Sequence, residues 1–85
     1  MIPTVIWDDD PGGNVEHIAI NGLTPEEVDS VLMDPNIPQR VSRSSGRPCK
    51  FGWTDTGKHI IVIWNIEYED PLTIYPVTAY EVPPP

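Results

Sequence analysis

The run Ile60-Ile61-Val62-Ile63-Trp64 is the strongest constraint on what this chain can fold into. Four of its five side chains are β-branched, which favours a pleated backbone over a helix. Apolar residues at every position, rather than every second one, require cover on both faces of the strand. Lys58 to Tyr68 is therefore read as the strongest strand. The chain has 85 residues, and a domain of that size buries about 60–65% of its unfolded surface, enough for one modest core. The expected organisation is a single domain over 1–82, with 83–85 as a flexible proline tail.

Upstream of that strand the pattern is helical. Thr4 to Trp7 reads as a short first strand, broken by the turn-rich Asp8-Asp9-Asp10-Pro11-Gly12-Gly13. Asn14 to Asn21 is expected as a short helix with Val15, Ile18 and Ala19 as its buried stripe and Asn14, His17 and Asn21 opposite. Gly22 is placed to end it. Thr24-Pro25-Glu26-Glu27 carries a capping box with proline at the first helical position. Val28, Val31 and Leu32 form the apolar stripe that follows, and Asp34-Pro35 stops the helix. Two helices this closely joined predict a helical hairpin on one face of a sheet.

Downstream the period changes to two. Ile37 to Ser45 is polar and basic, a loop or irregular strand. Arg47 to Thr54 reads as a strand with Cys49, Phe51 and Trp53 on one side, and Asp55-Thr56-Gly57 as a three-residue turn with Gly57 in the bulge. That turn sets Phe51 opposite Ile61 and Cys49 opposite Ile63. Glu69-Asp70-Pro71 turns the chain into a last strand, Leu72 to Ala79, where Pro76 requires an edge position or a bulge. The fold class is α+β: a short N-terminal strand, a helical hairpin, then a three-stranded antiparallel meander, in an antiparallel sheet of three or four strands. One helical hairpin covers one face, so a surplus apolar strip needs other cover, and a partner chain is expected to supply it.

Charge narrows the function. Five basic residues stand against 13 acidic ones, a net charge of −8, which excludes a general nucleic-acid binder and docking on anionic lipid. All five cations (Arg40, Arg43, Arg47, Lys50 and Lys58) fall within positions 40–58, a window of net charge +4 in a chain that is −12 elsewhere. Such segregation focuses a local potential on an otherwise repulsive surface. The single cysteine, Cys49, can form neither an internal disulfide nor a zinc site and reads as a small buried hydrophobe. The opening Met1-Ile-Pro-Thr-Val has no basic n-region, and no run approaches the length of a membrane span. A cytoplasmic protein without membrane association is expected.

The order of elements then meets specific residues: Trp7-Asp8, Asn21-Gly22-Leu23-Thr24-Pro25-Glu26-Glu27-Val28, Val31-Leu32-Met33-Asp34-Pro35, Arg47 five residues before Gly52, and Thr78-Ala79-Tyr80-Glu81. Over most of positions 6–81 this resembles the BrnT toxins, compact relatives of the RelE-type ribonucleases of bacterial toxin–antitoxin pairs. The resemblance implies an α+β fold with a barrel-like sheet, metal-independent RNA cleavage, and silencing by an antitoxin. The chain departs from the BrnT pattern in three places. No lysine precedes position 50, Asn21 stands where a histidine is expected, and Tyr80 stands where an arginine is expected. Arg47 matches a family arginine position.

RNA cleavage without metal needs a base for the 2′-OH proton, an acid for the leaving oxygen and cations for phosphate charge. Arg47, His59 and Tyr80 are the catalytic candidates, with His17 and Tyr75 behind them. Arg40, Arg43, Lys50 and Lys58 are candidates for binding phosphate or a partner; Arg47 with Lys50 makes the best phosphate pair. Asp8-Asp9-Asp10 lacks the spacing of a calcium loop and reads as a solvated acidic segment, so no metal and no cofactor are expected. The expected function is a toxin-like protein of a type II toxin–antitoxin system with ribonuclease activity retained or lost. The alternative is a non-catalytic protein-interaction module on the same fold. The expected partner is an antitoxin-like protein or a second copy, in preference to direct binding of RNA or DNA.

Overall fold

The computed structural model describes residues 2–85 and runs β1 (Thr4–Val5), α1 (Asn14–Ile20), α2 (Pro25–Leu32), β2 (Arg40–Val41), β3 (Pro48–Trp53), β4 (His59–Glu69) and β5 (Leu72–Glu81). The class is α+β, with two helices and one five-stranded sheet ordered β1-β5-β4-β3-β2. β2, β3, β4 and β5 pair antiparallel with their neighbours, whereas β1 lies parallel to β5. The sheet is therefore mixed and five-stranded, which corrects the expectation of three or four antiparallel strands. The reason is the path of the chain. It starts at one edge, crosses the sheet through α1 and α2, and returns strand by strand until β5 lies beside β1. Arg40–Val41 adds the fifth strand at the far edge.

The β3–β4 register is as the turn arithmetic requires: Cys49 faces Ile63, Phe51 faces Ile61 and Trp53 faces His59. Thr54 N–H donates to Lys58 O at 2.8 Å to close the turn, and Gly57 adopts φ 88°, a conformation open to glycine at little cost. Pro76 is accommodated both ways, at a bulge in the β4–β5 pairing and past the end of β1 on the open side of β5. Ile63 pairs with Thr78 while Trp64 pairs with Pro76, so Val77 is the extra residue.

The main core forms between α2 and one face of the sheet. Val28, Val31 and Leu32 pack with Ile60, Val62, Trp64, Ile74 and Ala79, joined by Ile18 and Leu23. Each of the large side chains contributes about 1.5–3 kcal/mol by leaving water. Helix α2 starts on the expected capping box: Thr24 Oγ1 accepts from Glu27 N–H at 3.2 Å, and Thr24 N–H donates to Glu27 Oε1 at 3.1 Å.

Helix α1 differs from its expected orientation. Ile18 is buried as expected, but Val15 is only half-buried and Ala19 is exposed, whereas Asn14 is buried. The side read as outward, Asn14–His17–Asn21, meets β5. Asn14 Nδ2 donates to Pro76 O at 3.0 Å, His17 Nε2 lies 3.0 Å from Thr78 Oγ1, and Asn21 Nδ2 donates to Ala79 O at 3.0 Å. The physical reason is the shortness of β1, which pairs only with Thr73 and Ile74. Beyond that point β5 has carbonyls without a strand partner, and buried carbonyls must find donors. Amide side chains on α1 provide them.

Candidate functional site

Alternation along the strands sorts the candidate residues by face. Ile60, Val62 and Trp64 lie under α2, so Lys50 and Gly52, their neighbours across the β3–β4 pairing, share that covered face. The other face has no helix. It carries Arg47 just ahead of β3; Cys49, Phe51 and Trp53 from β3; His59, Ile61, Ile63 and Asn65 from β4; and Tyr80 from β5. Arg40 joins them because it pairs with Cys49. Cys49, Ile61 and Ile63 form a small buried cluster there, with Val82 packed against it. Around this cluster Phe51 is 41% exposed, Trp53 55% and Tyr80 40%.

A groove of about 610 Å³ runs over this face between Ser42–Ser44 and Val82, floored by Phe51, Ile61 and Tyr80 and rimmed by Arg40 and Arg43. It continues past Arg40, Phe51 and His59 towards Pro83 and Pro85. His59 Nδ1 lies 3.1 Å from the carbonyl oxygen of Pro83. A carbonyl only accepts, so Nδ1 carries the proton and Nε2 of the neutral ring is left as an acceptor. The Trp53 ring lies 4.9 Å from that of His59, tilted by 49°.

The structure brings Arg40, His59 and Tyr80 to one groove and leaves Arg47 apart from them. Arg47 Nε donates to Asn65 Oδ1 at 2.7 Å, and Asn65 lies six positions along β4 from His59, about 20 Å at ~3.4 Å per residue. Tyr75 pairs with Asn65 at the Arg47 end, and His17 is engaged with Thr78. Arg47 and Lys50 fall on opposite faces and do not form a phosphate pair.

Both lysines of the basic window serve the fold. Lys50 Nζ donates to the carbonyls of Leu32 at 3.0 Å and Asp34 at 3.2 Å, covering the C-terminal end of α2. Lys58 Nζ donates to Gly22 O at 2.8 Å and pairs with the Glu27 carboxylate at 3.1 Å. Glu27 is buried and also accepts from Thr56 Oγ1. The Thr56 hydrogen bond, followed by the Lys58 and Thr24 donors, holds its carboxyl below the usual glutamate range despite burial. Burial pushes Asp29 the other way, with Trp7 Nε1 donating to it at 3.1 Å. Burial also raises the Cys49 thiol, which keeps it protonated and unreactive.

Comparison with protein-family models, curated proteins and solved structures gives no match to this chain.

The carboxylates of Asp8, Asp9 and Asp10 lie within 4.8 Å of one another. Their loop is shaped by its own hydrogen bonds: Asp8 Oδ1 accepts from Asp10 N–H, and Asp8 N–H donates to Asn14 Oδ1. No helix among the described residues is long and apolar enough to cross a membrane. Sequence reasoning missed Val41, Ser42, Ser44 and Val82 as groove residues. Of these, only Val82 left a signal, since it stands two positions beyond Tyr80 on the same strand face.

Proposed function

We propose that this chain is a toxin-like protein of the BrnT/RelE kind that works as a protein-interaction module, its helix-free sheet face receiving an acidic, partly apolar segment of a partner. The carrying observation is the groove itself. Apolar and aromatic side chains that no element of the chain covers are rimmed by Arg40 and Arg43, in a molecule whose charge is otherwise strongly negative. Burial of the aromatic floor supplies the affinity, and the arginines set orientation and on-rate. Further support comes from Lys50 and Lys58, which are engaged inside the fold, and from the separation of Arg47 from His59.

The test compares three fluorescent probes in physiological salt: a peptide alternating glutamate and phenylalanine, its lysine counterpart, and a single-stranded RNA oligonucleotide. Preferential binding of the acidic peptide, weakened in Arg40→Ala, is expected. Preferential binding of RNA overturns the reading. Expression in a bacterium is expected to leave growth and mRNA intact, with no change on Arg47→Ala.

A ribonuclease reading is favoured by one observation, the free Nε2 of His59 on the same face as Tyr80 and Arg40. In that reading His59 takes the 2′-OH proton, the 2′ oxygen attacks phosphorus as the bond from phosphorus to the 5′ oxygen breaks, the Tyr80 hydroxyl gives that oxygen its proton, and Arg40 bears the phosphate charge. Growth arrest with mRNA cleavage, both lost in His59→Ala, would establish it.

A further inference from the structure

Two features of the surface lack a counterpart within the chain, and they are complementary. One is the arginine-rimmed groove. The other is the outer end of the β4–β5 hairpin. β3 begins at Pro48 and pairs with β4 no further along than Ile63, so among the described residues β4 from Asn65 onward has β5 as its one strand neighbour. This ribbon exposes Ile66 (44%) and Tyr68 (68%) among the exposed acids Glu67, Glu69 and Asp70. It combines apolar bulk with negative charge, the chemistry that the groove between Arg40, Arg43, Phe51 and Tyr80 accepts.

We infer that the groove of one copy receives the acidic tip of the β4–β5 hairpin, Ile66 to Asp70, of a second copy. The inference rests on the proposal that this face docks an acidic segment, and it names the segment. Charge selects this pairing over the alternative self-association. Packing two helix-free faces directly on each other would gather Arg40 and Arg43 of both copies into one interface with no acid from the hairpin tip to offset them, and like charges within an interface oppose association. Hairpin into groove sets three acids against two arginines and covers Tyr68, which the bulge at Glu67 turns to the face opposite Ile66. The long-range repulsion between two chains of net charge −8 is screened beyond about 8 Å in physiological salt, whereas contacts inside the groove are not.

The test is sedimentation of the full chain in physiological salt, with two paired variants. Arg40→Glu/Arg43→Glu spoils the groove, and Glu67→Lys/Glu69→Lys spoils the hairpin. All four positions are exposed, and none of the four side chains is hydrogen-bonded among the described residues, so unchanged circular dichroism and melting are expected. Wild type is expected to self-associate, and each paired variant to weaken this by more than about tenfold. An equimolar mixture of the two variants is expected to form a one-to-one complex, because an intact hairpin then meets an intact groove. Association that survives both pairs of substitutions, or a wild type that stays monomeric up to about millimolar concentration, overturns the inference. Loss in the arginine variant alone also overturns it, while leaving the groove as the acceptor of some other acidic segment. The acidic peptide probe keeps the two failures distinct, since it reports on the groove whatever the hairpin does.

Discussion

Asn14 Nδ2 donates to the carbonyl of Pro76 at 3.0 Å, joining α1 to a strand 62 positions away. The same amide nitrogen donates to Ile6 O at 2.9 Å, and Asn14 Oδ1 accepts from Asp8 N–H at 2.8 Å. One buried side chain thus satisfies three backbone groups, two from the stretch after β1 and one from β5. Asn14→Leu leaves all three without partners in an environment where each costs about 1–3 kcal/mol. Chemical denaturation is expected to show a loss of about 3 kcal/mol or more, against a smaller loss for Asn21→Ala, whose residue is exposed.

Glu27 and Asp29 make opposite contributions to acid stability. The folded-state pKa of Glu27 is lowered, so its contribution is fully present above the unfolded value of about 4.3 and is lost as pH falls through the folded value. Glu27→Gln is expected to destabilise by about 2 kcal/mol at neutral pH and to remove that acid-sensitive step. The folded-state pKa of Asp29 is raised, so its charge is a penalty at neutral pH that is relieved as pH falls through the folded value towards about 3.9. Asp29→Asn keeps an acceptor for Trp7 and is expected to stabilise the protein at pH 7, the advantage vanishing below about pH 4. Melting temperature against pH for the three proteins checks both signs.

Gly13 precedes α1 with ordinary dihedrals, φ −75° and ψ 176°, yet a Cβ there would fall on the backbone carbonyl of Asp8 and 2.7 Å from its Cγ. That carbonyl also accepts from Val15 N–H at 3.2 Å, so backbone rather than a mobile side chain must move. Gly13→Ala is expected to cost about 2 kcal/mol by overpacking. Gly52→Ala, whose Cβ would meet the mobile end of Ile37 at 2.5 Å, is expected to cost less. Denaturant midpoints rank the two.

The basic window divides into fold and surface. Lys50→Met removes the donors at the end of α2 and is expected to lower stability by about 1–2 kcal/mol without altering capture of an acidic peptide. Arg40→Ala is expected to do the reverse. A melting curve beside a binding isotherm for each variant separates the roles, and a common effect on both readouts would refute the division.

The residues explain which expectations held. The capping box of α2 and the β3–β4 register are local matters, set by Thr24–Glu27 and by a turn of fixed length, and both were legible. The parallel pairing of β1 was not, since it depends on where Thr4–Val5 meets Thr73 and Ile74 after two helices have crossed the sheet. The facing of α1 misled because hydrophobic periodicity assigns burial to apolar side chains, while the β5 carbonyls beyond β1 call for donors. In the site, counting charges marked the window, but alternation decides its use. Lys50 shares a face with Ile60, Val62 and Trp64 and so meets α2, whereas Arg40 and Tyr80 fall on the face without a helix.

The amide side chains that α1 lays along β5 have a consequence for solubility. A sheet edge with open carbonyls invites any passing strand, and proteins usually blunt such edges with charge, proline or a bulge. Here part of the guard is a helix of seven residues, too short to hold its shape once detached. Fraying of α1 and exposure of the β5 edge are thus a single event, and the two asparagines at the ends of α1 act as a latch. Conditions that melt this one helix turn a self-contained sheet into a template for aggregation while most of the core remains folded.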